Sequence, residues 1–108
     1  MNEQKIMNLL SMAQRAGQAA SGDFAVTKAV QEKRAKLLLV AADASEETKG
    51  RCQYMASEAK IDLFYLADRE ILGHCIGKDF RAAVAILDAG IANAIARHCH
   101  PDSDTGVN

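Results

Sequence analysis

Apolar positions along this chain follow two different periods, and each switch from one to the other marks an element boundary. Ile6, Leu9, Leu10 and Ala13 recur at helical spacing, which predicts an amphipathic helix over residues 3–16. Gly17 suits its C-terminal stop. A short strand over Gln18–Ser21 is expected next. Asp23 then stands where a cap for a second helix belongs, and Val26, Ala29 and Val30 form that helix's inner stripe. After Lys36 the helical period vanishes. The run to Ala42 is apolar without a break, the pattern of a strand covered on both faces.

Asp43 and Ser45 both offer a capping oxygen to a third helix, and Glu46 and Glu47 suit the positive end of its dipole. Cys52, Met55, Ala56 and Ala59 mark its expected buried side. Gly50 interrupts it at a cost of about 1 kcal/mol relative to Ala, for which the sequence offers no reason. Ile61–Leu66 reads as the next strand, Asp68 as the cap of a short helix reaching Cys75, and Ala82–Leu87 as another buried strand. A last helix over Gly90–Cys99 would pack through Ile91 and Ile95. Strands alternating with helices predict an α/β fold, a three-layer α/β/α sandwich around a small mixed sheet. One domain over residues 1–100 is expected, followed by a loose polar tail at 101–108.

Composition narrows the function. With 108 residues, 5% aromatic and no Trp, the core must rest on aliphatic side chains. No apolar run approaches the roughly 20 residues that span a bilayer, and no secretory leader pattern precedes the first helix. Three cysteines, Cys52, Cys75 and Cys99, form no regular framework, so reduced thiols and a cytoplasmic location are expected. His98, Cys99 and His100 are adjacent but lack the distant partner pair of a metal site. His74 and Cys75 are helix neighbours and point apart, so they do not make a base and nucleophile. No metal or cofactor is expected, and no catalytic set emerges.

Two glycine-marked turns remain, one at Gly22 and one spanning Gly73 to Gly77. Gly22 before a helix start lets a ligand's backbone reach the free N–H groups of the first turn. Lys28, Lys33, Arg34 and Lys36 form the densest basic cluster, with Glu32 as the sole acid among them. Lys78 and Arg81 could meet phosphate beside an apolar surface offered by Ile76 or Phe80. Glu46 lies at the start of the third helix. A net charge of −1 means that any nucleic-acid contact must come from a local patch.

The stretches Gly22 to Val30, Ala35 to Ser45, and Leu72 to Gly77 followed by Ala82 to Asp88 resemble the L-seven-Ae/L-thirty-e superfamily of ribosomal proteins, within it the bacterial YlxQ-like branch. The resemblance covers nearly the whole chain. It implies the same three-layer fold and a surface for kink-turn RNA, a sharply bent internal loop with tandem G·A pairs. Family members carry an Asn-Glu pair after the first glycine that reads guanine edges, and a Lys one turn later. Here the glycine is Gly22 and the lysine Lys28, while Phe24 and Ala25 stand in the pair's place. Neither can hydrogen-bond to a base edge, although Phe24 can stack on an unpaired base. The segment from Ile76 to Arg81 matches the loop that packs on a flipped-out nucleotide.

The RNA-binding set so implied is Gly22, Asp23, Phe24, Lys28, Lys36, Glu46, Ile76, Lys78, Phe80 and Arg81. The implied partners are ribosomal RNA, a kink-turn or related structured RNA, together with proteins of the ribosome or translation factors, and no membrane. The alternative is a protein-interaction module in translation or ribosome assembly with weakened RNA affinity. The near-neutral charge and the replaced Asn-Glu pair favour it.

Overall fold

Two all-apolar segments, Leu37–Val40 and Ala83–Ile86, have every residue buried, and they lie side by side at the centre of the sheet. A computed structural model describes residues 3–99. Their order is α1 (Glu3–Arg15), β1 (Ala19–Ser21), α2 (Asp23–Gln31), β2 (Leu37–Val40), α3 (Glu46–Ala59), β3 (Asp62–Tyr65), α4 (Arg69–Cys75), β4 (Ala83–Ile86) and α5 (Ala89–Cys99). The sheet runs β1-β4-β2-β3, with β4 antiparallel to β1 and β2, and β2 parallel to β3. Helices α2 and α3 cover one face, while α1, α4 and α5 pack together on the other. The expected three-layer sandwich with a mixed sheet is what forms. The tail at 101–108 and His100 lie outside the described residues.

Burial follows strand position. Leu37 is 1% exposed and Leu38, Leu39 and Val40 are fully buried, so β2 keeps no solvent face. Replacing one of these leucines by Ala would cost about 2–5 kcal/mol. Edge strands β1 and β3 are only partly covered. Flanking backbone bonds continue the ladders beyond the strands: Lys36 N–H to Ile86 O (2.7 Å), Ala41 N–H to Ala82 O (2.8 Å) and Leu87 N–H to Gln18 O (2.8 Å). These explain why the sequence pattern suggests slightly longer strands.

Several local expectations are corrected. Asp23 does not cap α2: Gly22 occupies the cap position with φ 91° and no side-chain bond, and Asp23 opens the helix. Of the two candidates for α3, Ser45 is the cap, accepting from the Thr48 N–H at 3.1 Å. Asp43 instead accepts from the Arg69 N–H at 2.9 Å and ties the β2–α3 loop to the start of α4. Asp68 caps α4 as expected, accepting from the Ile71 N–H at 2.8 Å. On α3, Cys52 and Ala56 are buried, Met55 is half-buried and Ala59 is exposed. That helix leans on the sheet along a narrower stripe than its sequence suggests.

Gly73 is no turn residue; it sits buried within α4. A Cβ there would lie 2.9 Å from the backbone N and Cα of Phe80 and 3.0 Å from the Arg81 nitrogen. Only glycine lets the α4–β4 loop fold back so closely. Gly77, with φ 73°, closes α4 through Lys78 N–H to Gly73 O (2.9 Å) and Gly77 N–H to His74 O (3.1 Å), a Schellman ending.

Candidate nucleic-acid interface

Strand register gathers the loops. Ser21 pairs with Val84, Val40 with both Ala83 and Tyr65. The ends of β1, β2 and β3 and the start of β4 therefore share one edge of the sandwich. The turn at Gly22, the loop from Ala41 to Ser45, the turn at Ala67 and the loop from Ile76 to Ala82 all emerge there.

Two phenylalanines project from this end. Phe24, in the first turn of α2, is 80% exposed, and Phe80, in the α4–β4 loop, is 60% exposed. Ile76 is different. At 3% exposure it packs into the core, so the apolar surface of that loop comes from Phe80 alone. Arg81 anchors the loop: its N–H donates to Arg69 O (3.0 Å), its Nε to Ser21 Oγ (3.2 Å) and its Nη1 to Phe80 O (2.7 Å). The Gly22 N–H adds a bond to Ala83 O at 3.3 Å. The two ring-bearing segments are thus fastened to the same strand end.

Cations here fall into two groups. Arg51 Nη2 lies 3.0 Å from Asp23 and its Nη1 lies 4.0 Å from Glu47. Arg69 Nε is 3.5 Å from Asp43, and Lys49 Nζ is 3.8 Å from Glu46. Lys49 also lies over the Tyr65 ring, 5.6 Å from its centroid. Lys78 and Arg81 in the α4–β4 loop, and Lys28 in the last turn of α2 behind Phe24, face no carboxylate in any ion pair among the described residues. Lys28 and Lys78 are free to meet an anion, while Arg81 keeps an uncompensated charge on a guanidinium already donating to Ser21 and Phe80. Asp23 and Glu46 belong to this end too, but as partners of Arg51 and Lys49.

Lys36 does not join them. It precedes β2 and bonds Ile86, at the opposite end of the sheet, roughly 17 Å along the strand from Ala41 at five extended residues. Arg51 and Arg69 are the end's residues that sequence reasoning missed. Glu47 four residues before Arg51 was a visible signal of a held cation. The Asp23–Arg51 and Asp43–Arg69 pairs join separate elements and left no local trace.

The thiols offer no nucleophile. Burial pushes the Cys52 and Cys75 thiols up, and takes Cys99 up to about 11, so all three stay protonated near neutral pH. Among the described residues, no three His, Cys, Asp or Glu side chains converge as a metal site. No helix there is long and apolar enough to cross a membrane.

The profile of the ribosomal protein L7Ae/L30e/S12e/Gadd45 family matches residues 4–96. The chain belongs to that family. It is 37% identical over 87 residues to the RNA-binding protein YlxQ of Bacillus subtilis (strain 168), covering 81% of this chain and 87% of that protein. The protein of the same name from Enterococcus faecium is 35% identical over 91 residues, covering 84% and 87%. Among solved structures, a protein with unknown function from Bacillus halodurans C superposes with a TM-score of 0.82 at 33% identity, covering 85% of this chain and 93% of that one. These matches put the chain in the YlxQ-like branch. Both YlxQ relatives are named as RNA-binding proteins, in keeping with the expectation of a binder rather than an enzyme.

Proposed function

We propose that this chain is a cytoplasmic, ribosome-associated protein, one domain over residues 1–100, that binds structured RNA through the loop end of its sheet. The observation that carries the reading is the joint presentation of two exposed rings, Phe24 and Phe80, with three cations that no carboxylate holds, Lys28, Lys78 and Arg81. Rings serve unpaired bases and free cations serve phosphates. The exposed first turn of α2 at Gly22 adds N–H donors for an anion. The RNA-binding names of the two relatives support the same reading. Glu46, exposed beside Lys49, accepts from a base amino group in this reading. Ile76 supports the loop from below, and Lys36 takes no part at this end.

The RNA is a kink-turn or a related bend in ribosomal RNA, gripped without the two guanine contacts of an Asn-Glu pair. Phe24 substitutes stacking for edge readout. Titration of a kink-turn duplex in moderate salt tests this directly. The double variant Phe24→Asn, Ala25→Glu is expected to bind tighter than wild type by about 2–6 kcal/mol, from two base contacts. Equal affinity of the two would show that the pair is not the determinant.

Single substitutions test the surface itself. Lys28→Ala, Lys78→Ala and Arg81→Ala should each flatten the slope of log affinity against log salt by up to about one unit. Phe24→Ala should weaken binding by about 1–3 kcal/mol with the slope unchanged. RNA affinity that is undetectable in wild type, or indifferent to all four changes, would transfer the surface to a protein partner in translation or ribosome assembly.

A further inference from the structure

The end of the sheet opposite the loops carries its own cations, beside a groove. Val30, Ala35, Met55 and Ile61 line a groove of about 710 Å³ between the C-terminal halves of α2 and α3, with Tyr54, Lys33 and Lys36 among its walls. Tyr54 is 68% exposed, although it is a large ring on a helix surface. Glu58 stands four residues on from Tyr54, on the same helical face. Lys33, Lys36 and Lys60 form no ion pair among the described residues, and Arg34 alone is held, by Glu32 at 2.9 Å.

Two of these lysines sit where lysine is disfavoured. Lys33 has φ 61° and Lys60 φ 58°, the left-handed residues that close α2 and α3. The endings are Schellman-like, with Arg34 N–H to Ala29 O (2.9 Å) and Ile61 N–H to Ala56 O (3.0 Å). α1 and α4 close instead with Gly17 and Gly77, the residue that adopts this backbone without strain. Attraction of a lysine to a helix C-terminus is the ordinary reason for charge at such a place. That accounts for Lys60, since α3 has no basic residue in its last turn. At α2 it does not require the charge at the strained residue, because Arg34 and Lys36 lie beside Lys33. Strain kept in Lys33, a cation in the wall of an open groove beside Lys36, marks a place where anion is met.

We propose that this groove is a second nucleic-acid site, taking an unpaired nucleotide of single-stranded RNA. The base lies against Tyr54 and the apolar floor, its phosphates meet Lys33 and Lys36, and Lys60 adds positive potential. Aromatic surface beside a cationic rim is the arrangement that binds single strands with little sequence preference. The Glu58 carboxylate favours guanine, whose N1–H and amino group both donate. A single chain would then hold two RNA segments from opposite ends of one sheet.

The test uses the intact chain and a short oligouridylate, with and without one internal guanosine. Amide shifts are expected to centre on Lys33, Lys36, Tyr54 and Ile61. Tyr54→Ala should weaken binding roughly 5- to 150-fold by lost stacking, while Tyr54→Phe retains it. Lys33→Gln together with Lys36→Gln should flatten the salt slope by about 1.4 units, at 0.7 per neutralised phosphate. The guanosine should raise affinity in wild type and lose its advantage in Glu58→Gln. Tyr54 is exposed, so thermal unfolding of its variants should match wild type. Shifts confined to Gly22–Lys28 and the Phe80 loop, indifference to Tyr54→Ala, or equal displacement by an oligoglutamate peptide would overturn the proposal, the last in favour of an acidic protein partner. A structured kink-turn titrated in parallel reports on the loop end alone, so the two readings stand or fall separately.

Discussion

At the loop end, rings are presented and half the named cations are already occupied, whereas at the groove end the lysines stand free and two of them hold strained backbone. Arg51, Arg69 and Lys49 are tied to Asp23, Asp43 and Glu46. Lys33, Lys36 and Lys60 are tied to nothing among the described residues. Surface pairs of this kind contribute about 0–1 kcal/mol to stability, so the loop end gains little fold stability from them. What they do is fix shape: Asp43 holds the start of α4, and Asp23 holds α2 to α3. The loop end is therefore a shaped surface with modest charge, suited to a folded partner. The groove end is a charged slot with a flat ring, suited to a flexible strand. A net charge of −1 hides both.

Gly73→Ala should break the comparison most sharply. The added methyl meets backbone of Phe80 and Arg81 at 2.9–3.0 Å, and backbone cannot step aside as a side-chain tip can. A loss of about 1–3 kcal/mol is expected from such overpacking, read by urea denaturation. Structured-RNA affinity should fall as well, because the same shift displaces Phe80. Oligouridylate affinity should stay put. Loss of both affinities together would show that the two ends are not independent.

The strands and caps of this fold were open to sequence reasoning, the division of its two ends was not, and the misses have a common cause. Continuous apolar runs revealed β2 and β4 because a strand buried on both faces leaves no room for polar residues. Asp68 and Ser45 were readable as caps because capping is local. Ile76 looked like an offered surface because a loop's inward and outward residues follow no period. Lys36 was grouped with Lys28 by nearness in sequence, yet α2 runs the length of the sheet and carries the cluster after it to the far end. Asp43 and Asp23 were judged as caps of their own helices, and both spend their oxygens on residues more than 20 positions away. Gly73 was read as a turn because its reason, a loop folding back on a helix, is tertiary.

Lys33→Gly and Lys60→Gly sharpen the contrast from the other side. Each relieves left-handed strain of about 1–2 kcal/mol against a glycine entropy cost of roughly 0.5–1 kcal/mol. The expected outcome is a modest rise in the denaturation midpoint with an unchanged slope. Oligouridylate affinity should drop at the same time. A gain in stability with a loss in binding is the signature of residues kept for function. Glycine variants that are neither more stable nor weaker binders would make the two lysines ordinary helix endings.

Gly50→Ala addresses α3, the helix that spans both ends. A Cβ there meets nothing within 4 Å, so packing gives no reason for glycine. The helix should gain about 0.5–1 kcal/mol, with both RNA affinities unchanged. A binding loss would place a partner's backbone against that bare turn.

The smallest effect belongs to Asp23→Asn. The carboxylate is paired with Arg51 at 3.0 Å, yet remains largely exposed, with a side-chain accessibility of 68%. Removing the charge should therefore cost no more than about 1 kcal/mol of stability, from the pair and the helix dipole together. Its effect on RNA should have the opposite sign. Asp23 follows Gly22 at the very turn where α2 would receive a phosphate, so the wild-type charge repels what the free N–H groups attract. Neutralising it also loosens Arg51, which keeps only its 4.0 Å contact with Glu47. Structured-RNA affinity should rise, more at low salt than at high salt because the gain is electrostatic. An affinity that is unchanged at every salt concentration would mean that no phosphate approaches the start of α2, and that Phe80, Lys78 and Arg81 carry the loop end without it.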